Sequence, residues 1–408
     1  MDVVVADRAA ARDARDVSLI SLGARHFRNL ARIELELPAE GVAIVGDNGQ
    51  GKTNLLEAIA YFAVMRSVRG VRDRDLLRFG AKAFSLDAVA EGGATTLGAG
   101  EMHITVGFES SASTARKQVS VDGVPVHRLS DSFGAVPSVL IAPRDVALVA
   151  GAPGERRRYL DVLLAMTDRR YLAALQRYRA ALVRRNATLR RAAMRSDTRR
   201  DAGDEIAVWD GALAESGATI RAARAEWLHA NAARITTFCA AIGERERVSV
   251  RYAARPEIPA EARGSGHEDV LREQLVHALA DDRARDIRRQ LTHAGPHRDD
   301  LAISLGGHAM RLVGSAGQQR TVAIALRLAA RETIRDAIGR LPIMLLDDPF
   351  AELDATRTSR ILALLRAPTG EAQGLGQLVI AIPRVAELPA ELAALRRLTI
   401  RDGVLSAT

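Results

Sequence analysis

The chain has a single cysteine, Cys239, in 408 residues. An intramolecular disulfide and a metal site built on several thiolates are therefore excluded, and a reducing cytoplasm suits the composition. Aromatic residues are scarce at 4%, although 48% of the chain is hydrophobic, so a sizeable core is possible and must be mostly aliphatic. No apolar run reaches the length needed to cross a bilayer. The first sixteen residues, MDVVVADRAAARDARD, mix both charge signs and lack the apolar stretch of a secretory signal; residues 1–17 read as a disordered lead-in. No internal repeat or long low-complexity tract is present. The chain thus reads as a soluble, cytoplasmic protein of roughly two or three domains, with no membrane partner.

Lys and Arg number 58 against 50 Asp and Glu, a net charge of +8 that permits a polyanionic partner without requiring one. Two alternating runs around ARHFRN between Val17 and Leu37 predict a hairpin. VAIVG follows as a short buried strand, and NLLEAIAYFAV spaces Leu55, Leu56, Ile59, Phe62 and Ala63 as a helix face. FSLDAVA, MHITVGF, KQVSVDGVPV and PSVLIAP predict further strands. From about Pro153 the pattern is helical and rich in arginine until roughly Phe238. One short strand and another helix over about 268–289 come next, then renewed strand and helix alternation.

Between the VAIVG strand and its helix lies GDNGQGKT. Gly46, Gly51, Lys52 and Thr53 fit G-x-x-x-x-G-K-[ST], in which backbone N–H groups of Gly46, Asp47, Asn48, Gly49, Gln50 and Gly51 can wrap phosphates. Lys52 supplies charge at the β and γ phosphates of ATP, Thr53 can ligate Mg2+, and the helix N-terminus adds its dipole. Such a loop needs an acidic partner at the end of a neighbouring parallel strand. IMLLDD offers Asp347 for the metal and Asp348 as the base that polarises attacking water; two carboxylates there could also simply cap a helix. GSAGQQR starts another helix, with Ser315, Gly317 and Gln318 forming either a cap or a second anion site. The loop and the acidic strand are separated by nearly the whole chain, so the Arg-rich helical region reads as an insertion. The expected layout is a lead-in over 1–17, an ATPase head over 18–150 and 286–408, and a helical arm over 151–285.

In this order GDNGQGKT, GSAGQQR and IMLLDDPFAELD resemble the ATP-binding cassette ATPases, and more closely their SMC-like branch. Within that branch the chain is most similar to the RecF family, through HFRNL, GDNGQGKTNLLEAI, SVLIAPRDVALVAGAPGERRRYLD, YRAALVRRNATLR, GPHRDDL, GSAGQQRT and LLDDPFAELD. The resemblance implies an α/β P-loop ATPase head with an inserted, mostly helical arm. It implies that Ser315, Gly317 and Gln318 contact the γ-phosphate held by a second copy's P-loop, so that ATP closes a homodimer, and that residues 351–354 are the loop crossing that interface. By the same resemblance Arg28 is a phosphate ligand, with solvent exposure on a hairpin as the alternative. Further implications are gapped or double-stranded DNA as a partner, RecO and RecR as companions in loading RecA, a weak DNA-dependent ATPase activity, and a place in DNA repair, replication and the SOS response. Asp348 replaces the usual glutamate, which implies slow hydrolysis, and LVIAIPR lacks the switch histidine of transporters.

Between Tyr171 and Arg195 seven arginines, Arg177, Arg179, Arg184, Arg185, Arg190, Arg191 and Arg195, occur without an acidic residue. Arg177, Arg184, Arg185, Arg190 and Arg191 are the candidate DNA contacts, since such a strip neutralises phosphates independently of base sequence. A solvated face on a coiled-coil-like arm is the other reading, because Tyr171, Leu175, Tyr178, Leu182 and Leu189 recur at four- and three-residue steps. His297 and Arg298 in GPHRDD carry no chemistry that spacing reveals. A transporter ATPase subunit and an ATP-gated nuclease are the competing function classes.

Overall fold

The structure, a computed structural model, describes residues 16–92, 101–111, 114–194, 199–259, 266–351, 353–366 and 375–407. All but the last two residues of the expected lead-in lie outside these ranges. The chain packs as two compact units. The first takes in the chain up to Asp145, Ala241–Gly243 and everything from Ile324; the second comprises Val146–Ala240 and Glu244–Ala323. The second unit therefore continues well past residue 285.

In the first unit one six-stranded sheet is antiparallel, in the order β2 (Leu30–Glu36), β1 (Ser18–Phe27), β4 (Ala83–Glu91), β5 (Glu101–Ser110), β6 (Ala115–Val121), β7 (Val124–Pro125). The hairpin between β1 and β2 turns at Arg28-Asn29, later than ARHFRN suggests, with Phe27 opposite Leu30. Ala24 and Phe27 are buried and carry the strand through that stretch. KQVSVDGVPV folds as a second hairpin on Asp122 (φ 50) and Gly123 (φ 78), the left-handed pair of a type I′ turn. Four of the chain's few aromatics, Phe27, Tyr61, Phe84 and Phe108, meet in this unit's core at centroid distances of 5.4–6.3 Å.

The second six-stranded sheet has the order β15 (Val404–Ala407), β14 (Arg396–Arg401), β3 (Gly41–Val45), β13 (Leu378–Ile382), β12 (Ile343–Asp347), β8 (Ser138–Ile141), with only the β14–β15 pair antiparallel. GVAIV, LVIAI and IMLLD are unbroken apolar runs because strands inside a parallel sheet are covered on both faces. Contrary to the expectation of a neighbouring strand, the acidic strand is not adjacent to the strand that feeds the P-loop; β13 lies between them. β3 approaches β13 so closely at Gly41 (φ +98) that a Cβ there would lie 1.8 Å from the carbonyl oxygen of Leu378.

The second unit holds helices α2 (Pro153–Thr167), α3 (Arg169–Met194), α4 (Arg199–Ile242, whose last residues belong to the first unit), α5 (Glu268–Asp281) and α6 (Arg283–Arg289). It also holds a three-stranded sheet in the order β11 (His308–Ala309), β10 (Asp300–Leu305), β9 (Val248–Ala253). Its helices are joined by buried Arg–Asp clusters. Arg156 grips Asp300 at 2.7 and 3.0 Å, and Arg221 grips Asp299 at 2.9 Å through two nitrogens. Asp161 accepts from Arg224 (2.7 Å) and Tyr171 (2.6 Å). RRRYLD and GPHRDD are thereby explained as two sides of one polar core. His297 belongs to it: the Tyr178 hydroxyl meets Nδ1 at 2.6 Å and Nε2 meets the Thr292 carbonyl at 3.0 Å. This pairing fits the neutral ring with its proton on Nε2.

Arg185, one of the candidate DNA contacts, must be reassigned. It is fully buried, donating to Asp210 (2.8 Å), Asp286 (2.6 Å) and Thr292 (3.0 Å), and no nucleic acid can reach it. A buried guanidinium needs partners that satisfy its donors, and here two carboxylates supply them. Arg177, Arg190 and Arg191 are exposed, Arg184 is exposed with its guanidinium 5.3 Å from the Trp209 ring, Arg179 pairs with Asp161, and Arg195 lies outside the described residues.

Two outcomes follow for stability. Arg185→Met leaves buried Asp286 with only His293 and Asp210 with only Arg283, so the urea unfolding free energy should fall by about 3–5 kcal/mol. Burial lowers the His297 pKa to about 4 from 6.5. The folded state thus disfavours the proton, and this contribution is complete above pH 6.5 and lost as pH falls through 4. Its size is on the order of 3 kcal/mol. Urea midpoints at pH 7 and pH 4.5 should differ less for His297→Gln than for the unsubstituted protein.

Candidate functional site

The loop after β3 leads into helix α1 (Lys52–Val64), whose N-cap Gly51 sits at φ +113 with no side-chain cap. The first N–H groups of α1 are consequently available to an anion. Two hairpin turns brace the loop from behind. Gly51 lies against Asn29, where a Cβ would come within 2.8 Å of Oδ1. Gln50 accepts from the backbone N–H groups of Asp402 (2.5 Å, to its side chain) and Gly403 (2.9 Å, to its carbonyl) in the β14–β15 turn.

Asn48, Gly49, Gly51, Lys52 and Thr53 line a cleft of about 370 Å³ together with Asp347 and Asp348. Gly46, Asp47 and Gln50 do not line it. The carbonyls of Gly46 and Asp47 accept the Lys52 ammonium, the latter at 2.9 Å, and Gln50 faces the hairpin. Lys52 is 6% exposed, and burial lowers its pKa against the opposing pull of Asp347 and Asp348. A cation held this way, on carbonyls of its own loop, is positioned to exchange them for phosphate oxygens.

Thr53 Oγ1 donates to Asp347 Oδ1 at 3.0 Å. The two oxygens stand as far apart as adjacent ligands of an octahedral Mg2+ with bonds of about 2.0–2.1 Å, so the pair fits that ion. Burial raises the Asp347 pKa, an effect opposed first by the Thr53 hydrogen bond and then by Arg69. A divalent cation would hold the carboxylate ionised. Asp348 has a left-handed backbone (φ 45) pinned by its N–H to the Ala381 carbonyl at 2.9 Å. That conformation is unfavourable for a non-glycine residue and holds the second carboxyl at the cleft.

Arg28 does not line the cleft. Its guanidinium forks onto Glu57 (3.1 and 3.3 Å) and donates to the Asp75 carbonyl (3.0 Å). The arginine at the cleft is Arg69, which also reaches Glu57 at 3.4 Å. The available signal was Glu57, a lone carboxylate inside NLLEAIAYFAV and 1% exposed, which must recruit cations to be buried at all. Ser315, Gly317 and Gln318 lie in the second unit at the start of α7 (Ala316–Ile338). Ser315 N–H donates to Gln318 Oε1 (3.0 Å) and Gln318 N–H to Ser315 Oγ (3.3 Å), a capping box, while Gly317 O accepts from Thr321 (3.0 Å). Asp354 caps α8 (Ala355–Arg366) by accepting from Arg357 N–H at 2.8 Å; Glu352 lies outside the described residues.

The family model described as RecF/RecN/SMC N terminal domain matches residues 18–387. The DNA replication and repair protein RecF of Chloroflexus aurantiacus is 34% identical over 400 residues, covering 94% of this chain and 98% of the relative. Its counterpart in Frankia alni is 37% identical over 394 residues, covering 94% and 97%. The chain belongs to the RecF family. Among solved structures, the recombination mediator protein RecF-ATP of the RecFOR pathway superposes with a TM-score of 0.85 at 27% identity, covering 97% of this RecF-family chain and 99% of the other. An SMC head domain from Pyrococcus furiosus, with a TM-score of 0.53 and 17% identity, shares the fold. Similarity to RecF over almost the whole chain sets aside the transporter-subunit and nuclease readings.

Lys52→Arg replaces a compact ammonium by a planar fork where two carbonyls and two carboxylates crowd around it. Nucleotide affinity, read by titration of a fluorescent ATP analogue, should drop by about tenfold or more; unchanged affinity would remove Lys52 from the site.

Proposed function

We propose that this chain is an ATP-controlled DNA-binding protein of recombinational repair and replication maintenance, in which ATP closes a homodimer on DNA. The observation that carries this reading is the Thr53–Asp347 pair in a cleft whose lining is cationic at Lys52 and Arg69 and anionic at Asp347 and Asp348. Thr53 and Asp347 would hold Mg2+, and Asn48, Gly49 and Gly51, with Lys52, would hold the phosphates of ATP. The metal supplies charge neutralisation on the phosphates. Asp348 orients the attacking water from a side chain one methylene shorter than glutamate, which keeps turnover slow and suits a switch. Relatives named for DNA replication and repair, and a solved structure named RecF-ATP in the RecFOR pathway, support the assignment. RecO and RecR as companions, and RecA as the protein loaded, follow from that relationship.

Ser315, Gly317 and Gln318 act on the nucleotide of the second copy. The exposure of Ser315 and of the neighbouring Leu312 (72%) and Val313 (51%) supports this, because an apolar pair beside an exposed polar turn is what a closing interface covers. Arg177, Arg184, Arg190 and Arg191 form the phosphate-facing strip of the helical region, and binding through them weakens as salt rises. The second unit, Val146–Ala240 with Glu244–Ala323, is the DNA-facing lobe of this proposal, and the first unit, which holds the cleft, its motor.

Ser315→Arg places a guanidinium in the closing interface and should leave nucleotide binding to the monomer unchanged while preventing ATP-dependent dimerisation. Sedimentation velocity with and without ATP decides it. A normal dimer in this variant would refute the action of Ser315 on the second copy.

A further inference from the structure

Phe79 is fully exposed, at 105% of its reference area, whereas Phe27, Phe62, Phe84 and Phe108 are buried. Its exposure is built into the backbone. Arg78–Ala81 is a turn closed by Ala81 N–H to the Arg78 carbonyl (2.9 Å), with Gly80 at φ +82 supplying the conformation a type II turn requires at its third position. The turn is fixed at both ends: Arg78 N–H donates to the His26 carbonyl at 2.8 Å, and the Lys82 carbonyl accepts from Ser110 N–H at 2.8 Å. The ring therefore stands in solvent on a rigid support, and no other apolar side chain of this turn shields it.

Its surroundings are cationic. Arg72, Arg74, Arg78 and Lys82 are exposed on the same segment, and Arg25 and His26 are exposed at the end of β1, where the turn attaches. The segment's two carboxylates are already engaged. Asp73 accepts from Tyr61 (2.9 Å) and Lys117 (3.1 Å), and Asp75 accepts from the Arg72 N–H (3.2 Å). Among the described residues no carboxylate pairs with Arg78 or Lys82. An aromatic face with unneutralised cations on either side is the arrangement that binds an unpaired nucleotide, with the base stacked on the ring and the flanking phosphates on the cations. A base inside a duplex presents no free face, so such a residue acts where stacking is interrupted. A lipid surface would want a broader apolar face than one ring beside the partly exposed Val71.

We propose that Phe79 stacks on an unpaired base at a junction between single-stranded and duplex DNA, while Arg78 and Lys82 hold the adjoining phosphates. This rests on the reading of the protein as DNA-binding and adds to it the element that distinguishes a gap from continuous duplex. Because the Phe79 side chain is fully exposed, its replacement leaves the core intact, which thermal unfolding verifies.

The test measures affinity, with ATP present, for a gapped duplex carrying 2-aminopurine at its first unpaired position and for a blunt duplex of equal length. Phe79→Ala should weaken binding to the gapped duplex by about tenfold or more and leave the blunt duplex within about twofold. The 2-aminopurine fluorescence change should vanish in Phe79→Ala and return in Phe79→Trp. Unchanged affinity for the gapped duplex, an equal loss on both DNAs, or a loss confined to binding of anionic phosphatidylserine vesicles would overturn the stacking role alone. Failure of the unsubstituted protein to bind either DNA would overturn the DNA-binding reading together with it.

Discussion

Everything at the nucleotide cleft depends on one contact between residues 294 positions apart, the Thr53–Asp347 hydrogen bond. It requires β3 and β12 to end at the same height in a parallel sheet while a third strand, β13, runs between them. That spacing is secured by backbone approach. Gly41 permits β3 to lie against Leu378, and the neighbouring Gln377 is buried with its amide bonded to both polar groups of Leu19 and to the Pro38 carbonyl. A shift of β13 would separate the hydroxyl from the carboxylate and dismantle the proposed metal position.

The two units solve the burial of charge differently. In the first, buried charge sits at the cleft, at Glu57 and in the pairs Asp145–Arg327 and Arg331–Glu332, beside an apolar core with a small aromatic cluster. In the second, buried arginines satisfied by aspartates join the helices to one another and to β10. Such pairs contribute less to net stability than apolar packing of equal volume, but removal of either partner is strongly destabilising. An arginine-rich helical sequence can therefore be partly core, and charge count alone overstates its surface.

The P-loop and the acidic strand were legible because glycine, lysine, threonine and aspartate at fixed spacing have few other uses, and because apolar strands inside a parallel sheet read as unbroken runs. Helix α3 was legible from the spacing of Tyr171, Leu175 and Tyr178. Which of its arginines face inward was not, since Arg184 and Arg185 are neighbours and their fates differ through Asp210 and Asp286, residues supplied by other helices. The place of β13 was hidden for a similar reason: strand order in a parallel sheet leaves no mark on spacing. Arg28 and Arg69 show the same limit on a smaller scale. Both converge on Glu57, and only the three-dimensional path of the chain after α1 brings one of them to the cleft. Ser315 was legible as either a cap or an anion site, and its bonds with Gln318 are those of a cap.

The central claim is that a working nucleotide site is assembled from two copies of the chain, with Lys52 from one and Ser315 from the other. It is tested most directly by mixing Lys52→Arg protein with Ser315→Arg protein and measuring ATP-dependent dimerisation by sedimentation velocity. A heterodimer of the two contains one intact composite site and one doubly altered site. The account predicts that each variant alone stays monomeric with ATP and that the equimolar mixture forms dimers. A mixture that stays monomeric, or either variant dimerising by itself, would contradict it.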